Sequence, residues 1–362
     1  MQNNYMQMAL QLAEKGRYLV SPNPLVGCVI EKNDKIIGMG WHKGVGYPHA
    51  EIEALNQAGR QAQNANVYVN LEPCCHFGRT PPCVDALIKA QVKSVHIPFI
   101  DPNPLVNGQG VAKLKQAGIK VYFGEEAKKA YQLNEFFLHY ISNKKPFVIA
   151  KWAMTLDGKI ATQKGDSKWI TNIAARKHSH KLRQSVDAIL VGVNTVIKDN
   201  PKLTPHLLDS AEIMRQPLRI VLDPHGKTPI GSNILQLMPE KTLIVTTLNA
   251  TKNWCNEVKN IGATIWQMKI DLNCLLQRLG EKEISSILVE GGTQTLSSFF
   301  QAKLVNKVYS YIAPKIIGDN AAYAPLSGFN INKISQSLKL NIRQTKKLGD
   351  DLLAISYPSW GN

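Results

Sequence analysis

The 362-residue sequence holds no apolar run long enough to cross a bilayer, which excludes a protein anchored by spanning helices. Its start, Met1 to Leu12, is polar and then amphipathic, without the basic–apolar–small order of a secretory signal. A cytoplasmic protein is therefore expected. Internal repeats and low-complexity tracts are absent, and 44% of residues are apolar, so the chain is expected to fold around ordinary cores. Cysteine is sparse: six residues, Cys28, Cys74, Cys75, Cys83, Cys255 and Cys274, of which three fall in one short segment. In a cytoplasmic chain of this size, such a local cluster points to metal rather than to disulfides.

Charge is abundant but scattered. Lys and Arg number 43 against 27 Asp and Glu, a formal balance of +16. There is no long basic arm and no basic–aromatic stripe, and the densest runs are only Lys128-Lys129, Lys144-Lys145 and Lys346-Lys347. The balance reads as a solvated lysine-rich surface that favours phosphorylated small molecules, with neither nucleic acid nor membrane as partner.

At roughly 150 residues per domain the length suggests about two domains. In the first part, helical spacing covers Tyr5–Lys15, His49–Ala58, Pro82–Ala90, Gly110–Ala117 and one long helix Glu125–Ile141. Strands are expected at Val26–Ile30 and Ile36–Trp41 around an Asn33-Asp34 turn, and at Val67–Leu71, Ser94–Phe99 and Ile119–Phe123. The polar stretch Ser142-Asn143-Lys144-Lys145-Pro146 marks a boundary, giving domains 1–145 and 146–362. The second part alternates again. Strands are expected at Phe147–Ala153, Ala188–Val193, Leu218–Leu222, Leu243–Thr247, Thr264–Met268, Ser286–Glu290, Val308–Ile312 and Leu352–Tyr357, and helices at Ala174–Gln184, Leu272–Leu279 and Thr295–Ala302. The alternation predicts an α/β fold in both domains.

The sharpest motif is His49-Ala50-Glu51, followed by Pro73-Cys74 and Cys83. It matches the zinc deaminase signature of a His-x-Glu segment paired with a Pro-Cys…Cys segment. One imidazole and two thiolates hold zinc tetrahedrally and leave one position for water. Two thiolates cancel the charge of Zn²⁺, so a neighbouring carboxylate is needed to take the proton, and Glu51 is the candidate. The usual Cys-x-x-Cys spacing is broken here, because position 77 is Phe77 and the second thiol comes at Cys83. Cys75 is read as a non-ligand, since neighbouring side chains diverge. In the second part, Gly291-Gly292-Thr293-Gln294-Thr295 follows an apolar strand and opens a helix whose backbone amides suit a phosphate. It is not a Gly-x-Gly-x-x-Gly fingerprint, so a Rossmann domain is not supported. His178, His180 and His225 read as surface or helix residues, and Trp152, Trp254, Trp266 and Trp360 as packing residues.

The insert Leu71-Glu72-Pro73-Cys74-Cys75-His76-Phe77-Gly78-Arg79-Thr80-Pro81-Pro82-Cys83 closely resembles that of bacterial bifunctional riboflavin biosynthesis proteins of the RibD type. Further agreement comes from Pro22-Asn23-Pro24-Leu25-Val26-Gly27, Asp101-Pro102-Asn103-Pro104, Thr155-Leu156-Asp157-Gly158-Lys159, Trp169-Ile170-Thr171, Val289-Glu290-Gly291-Gly292-Thr293 and Ile312-Ala313-Pro314-Lys315. The resemblance spans nearly the whole chain. It implies a cytidine-deaminase-like α/β sandwich followed by a dihydrofolate-reductase-like α/β domain, and a homo-oligomer. It also implies two reactions. Zinc-dependent hydrolysis would remove the 2-amino group of 2,5-diamino-6-ribosylamino-4(3H)-pyrimidinone 5′-phosphate, and NADPH would then reduce the ribosyl chain to ribityl.

The resemblance further implies deaminase substrate contacts at Asn23, His42, His76, Arg79, Asp101 and Asn103. In the second domain it implies cofactor contacts at Ala153, Trp169, Thr195, Asp199, Gly292, Thr293, Gln294, Thr295, Leu296, Ser297 and Ser298. Substrate contacts are implied at Lys151, Ser167, Arg183, Leu203 and Glu290, and His206 is a further candidate; Lys151, Asp199 and Glu290 are the candidates for managing protons around the ribose. The run Leu203-Thr204-Pro205-His206 departs from the family's Leu-Thr-x-Arg, and histidine is a weaker, pH-dependent anion partner. An alternative reading is a zinc deaminase of a nucleobase in nucleic acid, with the second half as a binding module.

Overall fold

The computed structural model of the protein describes residues 4–77, 81–206, 213 and 215–360. It divides into two compact units, 1–145 and 146–362.

The first unit runs α1 (Tyr5–Glu14), β1 (Gly27–Lys32), β2 (Lys35–Trp41), α2 (Ala50–Ala58), β3 (Asn66–Val69), α3 (Cys83–Lys89), β4 (Ser94–Ile97), α4 (Gln109–Gln116), β5 (Lys120–Phe123), α5 (Ala127–Leu133) and α6 (Glu135–Asn143). Its five strands lie in the order β2-β1-β3-β4-β5. β1 pairs antiparallel with both β2 and β3, while β3, β4 and β5 run parallel. A core of Cys28, Ile30, Ala54, Val67, Val69, Val84, Leu87, Val95 and Ile97 joins the sheet to α2 and α3. Close approach of α2 to β2 depends on Gly40, where an added Cβ would lie 2.2 Å from the Ala50 carbonyl oxygen. That contact fixes the start of α2, which carries His49 and Glu51.

One expected element differs. The single helix over 125–141 is two helices, α5 and α6, separated at Asn134 (φ −104°, ψ 16°). The Asn134 side chain is buried and spent on backbone elsewhere: its Oδ1 accepts from Leu25 N at 2.8 Å and its Nδ2 donates to Leu25 O at 2.9 Å. An amide committed to a distant strand entry competes with continuous helix.

The second unit runs β6 (Phe147–Thr155), α7 (Ile173–Gln184), β7 (Ala188–Gly192), α8 (Val193–Asp199), β8 (Leu218–Leu222), α9 (Asn233–Gln236), β9 (Thr242–Thr246), α10 (Lys252–Ile261), β10 (Thr264–Gln267), α11 (Leu272–Gly280), β11 (Ser286–Val289), α12 (Thr293–Gln301), β12 (Lys307–Ala313), β13 (Lys339–Leu348) and β14 (Asp351–Ser359). Its nine strands lie in the order β10-β9-β8-β7-β11-β6-β12-β14-β13. All pairings from β10 to β12 are parallel, and β14 and β13 add antiparallel. The central strands are apolar on both faces, with Val148, Ala150, Ala188, Leu190, Ile287, Leu288 and Val289 all at most 1% exposed. This is the expected state of parallel strands covered by helices. Trp152, Trp266 and Trp360 pack with the core cluster, as packing residues should.

Candidate active sites

In the first unit, the loops at the ends of β2, β3 and β4 bring the expected deaminase residues together. His49 is the N-cap of α2, Glu51 lies in its first turn, and Cys83 opens α3. His49 Nδ1 is 3.1 Å from Cys83 Sγ and 3.5 Å from Cys74 Sγ. The three donor atoms all lie within 4.8 Å of one another. One imidazole and two thiolates at this separation fit a tetrahedral zinc with an open position. A hydrogen bond from Cys83, aided by His49, pulls the Cys74 thiol down to about 4 against the effect of burial. Thiolate is the form a metal requires. Cys75 points elsewhere: its Sγ is 3.7 Å from Leu105 O.

Glu51 is 3% exposed, and its Oε2 has no hydrogen-bond partner. Burial pushes its carboxyl up, with His49 opposing. A buried carboxylate oxygen with nothing to accept from is costly unless a ligand supplies the donor. Around it, His42 packs edge-on to His49 at 5.4 Å between ring centres. Asn23 Nδ2 donates to His42 Nε2 at 3.1 Å, and His42 Nδ1 faces Pro48 O at 3.3 Å. A carbonyl accepts only, so the proton sits on Nδ1 and Nε2 accepts. Burial pushes the His42 imidazole down, so it is a neutral group.

Asp101 is 4% exposed, and burial raises it to about 6. Its Oδ1 accepts from Asn103 N at 2.8 Å, and Asn103 Oδ1 accepts from Leu105 N at 3.1 Å, so Asn103 also builds its own loop. Glu72 was not singled out from sequence, yet it receives Asp101 N, Gly108 N and Val111 N and holds that loop against the Cys74 segment. His76 is half-buried with its Nδ1 unpartnered. Arg79 lies outside the described residues.

In the second unit, the densest polar cluster lies where β6, α7 and the end of β11 meet. Arg183 grips Glu290 with two parallel bonds, Nε to Oε1 and NH2 to Oε2, each 2.8 Å. Lys151 Nζ lies 3.7 Å from Glu290 Oε2 and 5.7 Å from the centre of the Tyr311 ring. Burial pushes the Glu290 carboxyl up, but Arg183 and Lys151 outweigh it and hold it well below the usual carboxylate range. Burial, with Arg183 adding to it, pushes the Lys151 ammonium down, and Glu290 opposes.

His180 was read only as a surface or helix residue. It lies on α7 but is 6% exposed and belongs to this cluster. Its Nε2 is 3.4 Å from Arg183 NH1, and its ring meets His206 edge-on at 4.7 Å. Burial, reinforced by Arg183 and His206, lowers it to about 3, so its imidazole is neutral. His178, also on α7, shares a 2.9 Å bond with the Tyr311 hydroxyl. The sequence offered no signal for His180 beyond its place three residues before Arg183. Asp199, at the end of α8, does not join this cluster: burial raises it and its charged neighbours are Lys168 and Lys198. Leu203 is 2% exposed with φ +50°, so its side chain faces inward. His206 is exposed and lowered by burial, with Arg183 and Lys202 adding to the effect.

At the start of α12, an added Cβ on Gly292 would meet nothing within 4 Å, which leaves an open cradle over the first helical amides. Gly192 and Gly291 clasp Thr295, whose side chain would lie 2.5 and 2.6 Å from a Cβ at either position. A phosphate suits this terminus. Leu296 and Ser297 face the core, and Thr293 Oγ1 donates to Ala324 O, so these three offer their backbone rather than their side chains. Gln294 and Ser298 are exposed, and Thr195 and Ser167 half-buried. Trp169 is 62% exposed, with the Arg176 guanidinium 4.0 Å over its ring. Ala153 packs beside Tyr311 and Leu353.

Both units match known protein families. The profile of the RibD C-terminal domain matches residues 146–354. That of the cytidine and deoxycytidylate deaminase zinc-binding region matches residues 1–98. The riboflavin biosynthesis protein RibD of Aquifex aeolicus is 44% identical over 351 residues, covering 97% of this chain and 96% of that protein. The Escherichia coli RibD is 39% identical over 359 residues, covering 96% and 97%. The solved structure of Acinetobacter baumannii RibD superimposes with a TM-score of 0.89 at 40% identity and covers 98% of each chain. A diaminohydroxyphosphoribosylaminopyrimidine deaminase/5-amino-6-(5-phosphoribosylamino)uracil reductase from Thermotoga maritima gives 0.84 at 33% identity, again over 98% of each. With a cytidine-deaminase-like first domain and a RibD reductase domain second, the chain belongs to the RibD family of bifunctional deaminase–reductases of riboflavin biosynthesis.

Proposed function

We propose that residues 1–145 deaminate 2,5-diamino-6-ribosylamino-4(3H)-pyrimidinone 5′-phosphate and that residues 146–362 reduce the ribosyl chain of the product to ribityl. The observation that carries this reading is the pairing of the His49–Cys74–Cys83 triad with a buried, unpartnered Glu51 Oε2. A site built only for structure supplies a fourth protein ligand instead.

His49, Cys74 and Cys83 would hold zinc, which would supply Lewis acidity at the attacking water. Glu51 accepts the proton of that water, passes it to the pyrimidine ring nitrogen, and returns a proton to the departing ammonia. Carbon 2 thereby gains an oxygen and loses nitrogen. The open oxygen of Glu51 is free for this traffic because no protein donor holds it. The Asn23–His42 relay, with Asp101 and Asn103, reads the donor and acceptor edge of the pyrimidine. His76 and Arg79 take the phosphate.

In the second domain, the cradle at Gly292 to Thr295 would hold the phosphates of NADPH through backbone amides, with Ala153, Trp169, Thr195, Asp199, Gln294 and Ser298 around the rest, and the cofactor would supply the hydride. Lys151, whose ammonium is pushed down by burial, gives a proton to the ribose oxygen as the ring opens. Glu290 fixes Lys151 and Arg183 in place. Asp199 is assigned to the cofactor rather than to the proton-managing set, because its charged neighbours are Lys168 and Lys198. Ser167, Leu203 and His206 border the substrate. A neutral His206 is a weaker phosphate partner than an arginine, so Arg183 carries more of the anion.

The enzyme acts in the cytoplasm, where its free thiols persist, and as a homo-oligomer. Metal removal tests the division of labour. A chelator should abolish ammonia release, yet leave NADPH oxidation intact when the deaminated ribosyl phosphate is supplied directly. Parallel loss of both activities would contradict two separate sites.

A further inference from the structure

Arg219 lies on β8 and is 1% exposed, the largest fully buried side chain among the described residues of the second domain. Burying a guanidinium without a carboxylate is costly, and a residue serving only the core would be apolar. The hydrogen bonds of Arg219 go to carbonyl and hydroxyl oxygens. NH1 donates to Lys202 O at 3.3 Å. NH2 donates to Leu237 O, to Met238 O at 2.6 Å and to Thr242 Oγ1 at 2.7 Å. Thr242 faces Arg219 across β8 and β9, and its hydroxyl passes the contact on to Ile234 O at 2.8 Å. Burial lowers the Arg219 pKa to about 10, with Glu240 working against it.

The bond to Lys202 has a counterpart two residues on. Arg183 NH1, from α7, donates to Thr204 O at 3.1 Å while its other nitrogens hold Glu290. Between the two anchored carbonyls sits Leu203 at φ +50°, a conformation uncommon for a leucine. The same stretch is pinned once more at Asn200, whose Oδ1 and carbonyl oxygen each accept from Asn233 at 2.7 Å. Backbone 200–204 is thus held at three alternate residues, and its continuation places His206 against His180. Two of the three holds come from β8 and α9 rather than from the polar cluster at Glu290.

We propose that Arg219 is a positioning residue of the reductase: it fixes the backbone at Lys202 and so helps set where Leu203 and His206 meet the substrate. The inference rests on the reading of that stretch as the substrate border. Arg219 touches no reacting atom, so its loss acts through substrate placement.

The test uses the full-length zinc-loaded enzyme carrying Arg219→Met, with Thr242→Val as a milder variant that deletes one acceptor of the same guanidinium. Reductase kcat and KM for the deaminated ribosyl phosphate are measured at saturating NADPH, together with NADPH affinity and ammonia release. Arg219→Met should raise the substrate KM about tenfold, in line with the sensitivity of reaction sites to small misplacements. NADPH affinity and ammonia release should stay at the parent value, and kcat within about threefold. Thr242→Val should shift KM the same way by about threefold, and it carries the test if the methionine variant fails to fold. An unchanged KM in a folded variant overturns the proposal. So does a loss of NADPH affinity in step with KM, which would mark a merely structural role. Glu290→Gln is assayed alongside: if it keeps full reductase activity, the site reading itself falls, whereas an inactive Glu290→Gln beside a normal Arg219→Met sinks the positioning role alone.

Discussion

Glu51→Gln should lower the rate of ammonia release by about 10³-fold while zinc stays bound in full. The Glu51 carboxylate is buried, and its Oε2 accepts from no protein donor. Glutamine has the same shape and preserves packing at the start of α2, but it cannot receive a proton. None of His49, Cys74 or Cys83 is touched, so metal analysis of the variant should match the parent. Ammonia assay and zinc content on one preparation check both halves. Retention of more than about a tenth of the parent rate would be incompatible with general acid–base work of the usual size at Glu51. Loss of zinc together with activity would make Glu51 a support of the metal site instead.

Glu290→Gln should have the second large effect, and on the other reaction. The carboxylate compensates Arg183 and Lys151 together, with its side chain only 8% exposed. Removing one partner of a buried, hydrogen-bonded charge set leaves the others uncompensated, at a cost of about 3 kcal/mol or more to the second domain. Reductase turnover should fall by about 10²-fold, because Lys151 and Arg183 both lose the group that orients them. Ammonia release should be unchanged. The sign of the pH effect follows from the depressed carboxyl: its contribution is complete at neutral pH and is lost only as pH falls through a folded-state value well below the ordinary carboxylate range. A stable Glu290→Gln enzyme with normal NADPH turnover would contradict the assignment.

The deaminase centre was largely legible in the sequence because its parts are local. His49 and Glu51 sit two residues apart at the start of α2, and Cys74 and Cys83 share one insert that ends where α3 begins. The reductase centre was less so. Arg183 and Glu290 are 107 residues apart, and they meet only because β11 inserts between β7 and β6. No periodicity reports that order. His180 looked like any helical histidine until the sheet placed Arg183 and His206 around it. Arg219 reads as one charged residue in an otherwise apolar strand, and only its burial shows that the charge is used.

Elements followed the same logic. β8 was legible to the residue as Leu218–Leu222, since an apolar run between turn residues describes a buried parallel strand. β13 escaped notice because nine of its ten residues are exposed or half-buried and it carries Lys339, Arg343, Lys346 and Lys347. A strand with no buried face leaves no alternation to read. α10 was missed although its signals were present, a Thr251 cap accepting from Trp254 N and a Gly262 stop at φ +104°. Asn134 broke a helix whose apolar spacing ran on uninterrupted, because its amide was needed at Leu25.

The central claim is two chemistries in one chain, in a fixed order. The most direct measurement incubates the purified enzyme with the diaminopyrimidine ribosyl phosphate, with and without NADPH, and follows ammonia and NADPH absorbance together. The account predicts ammonia release in both samples and NADPH loss only after ammonia has begun to appear. NADPH consumption that precedes deamination, or zinc-loaded protein that releases no ammonia, would contradict it.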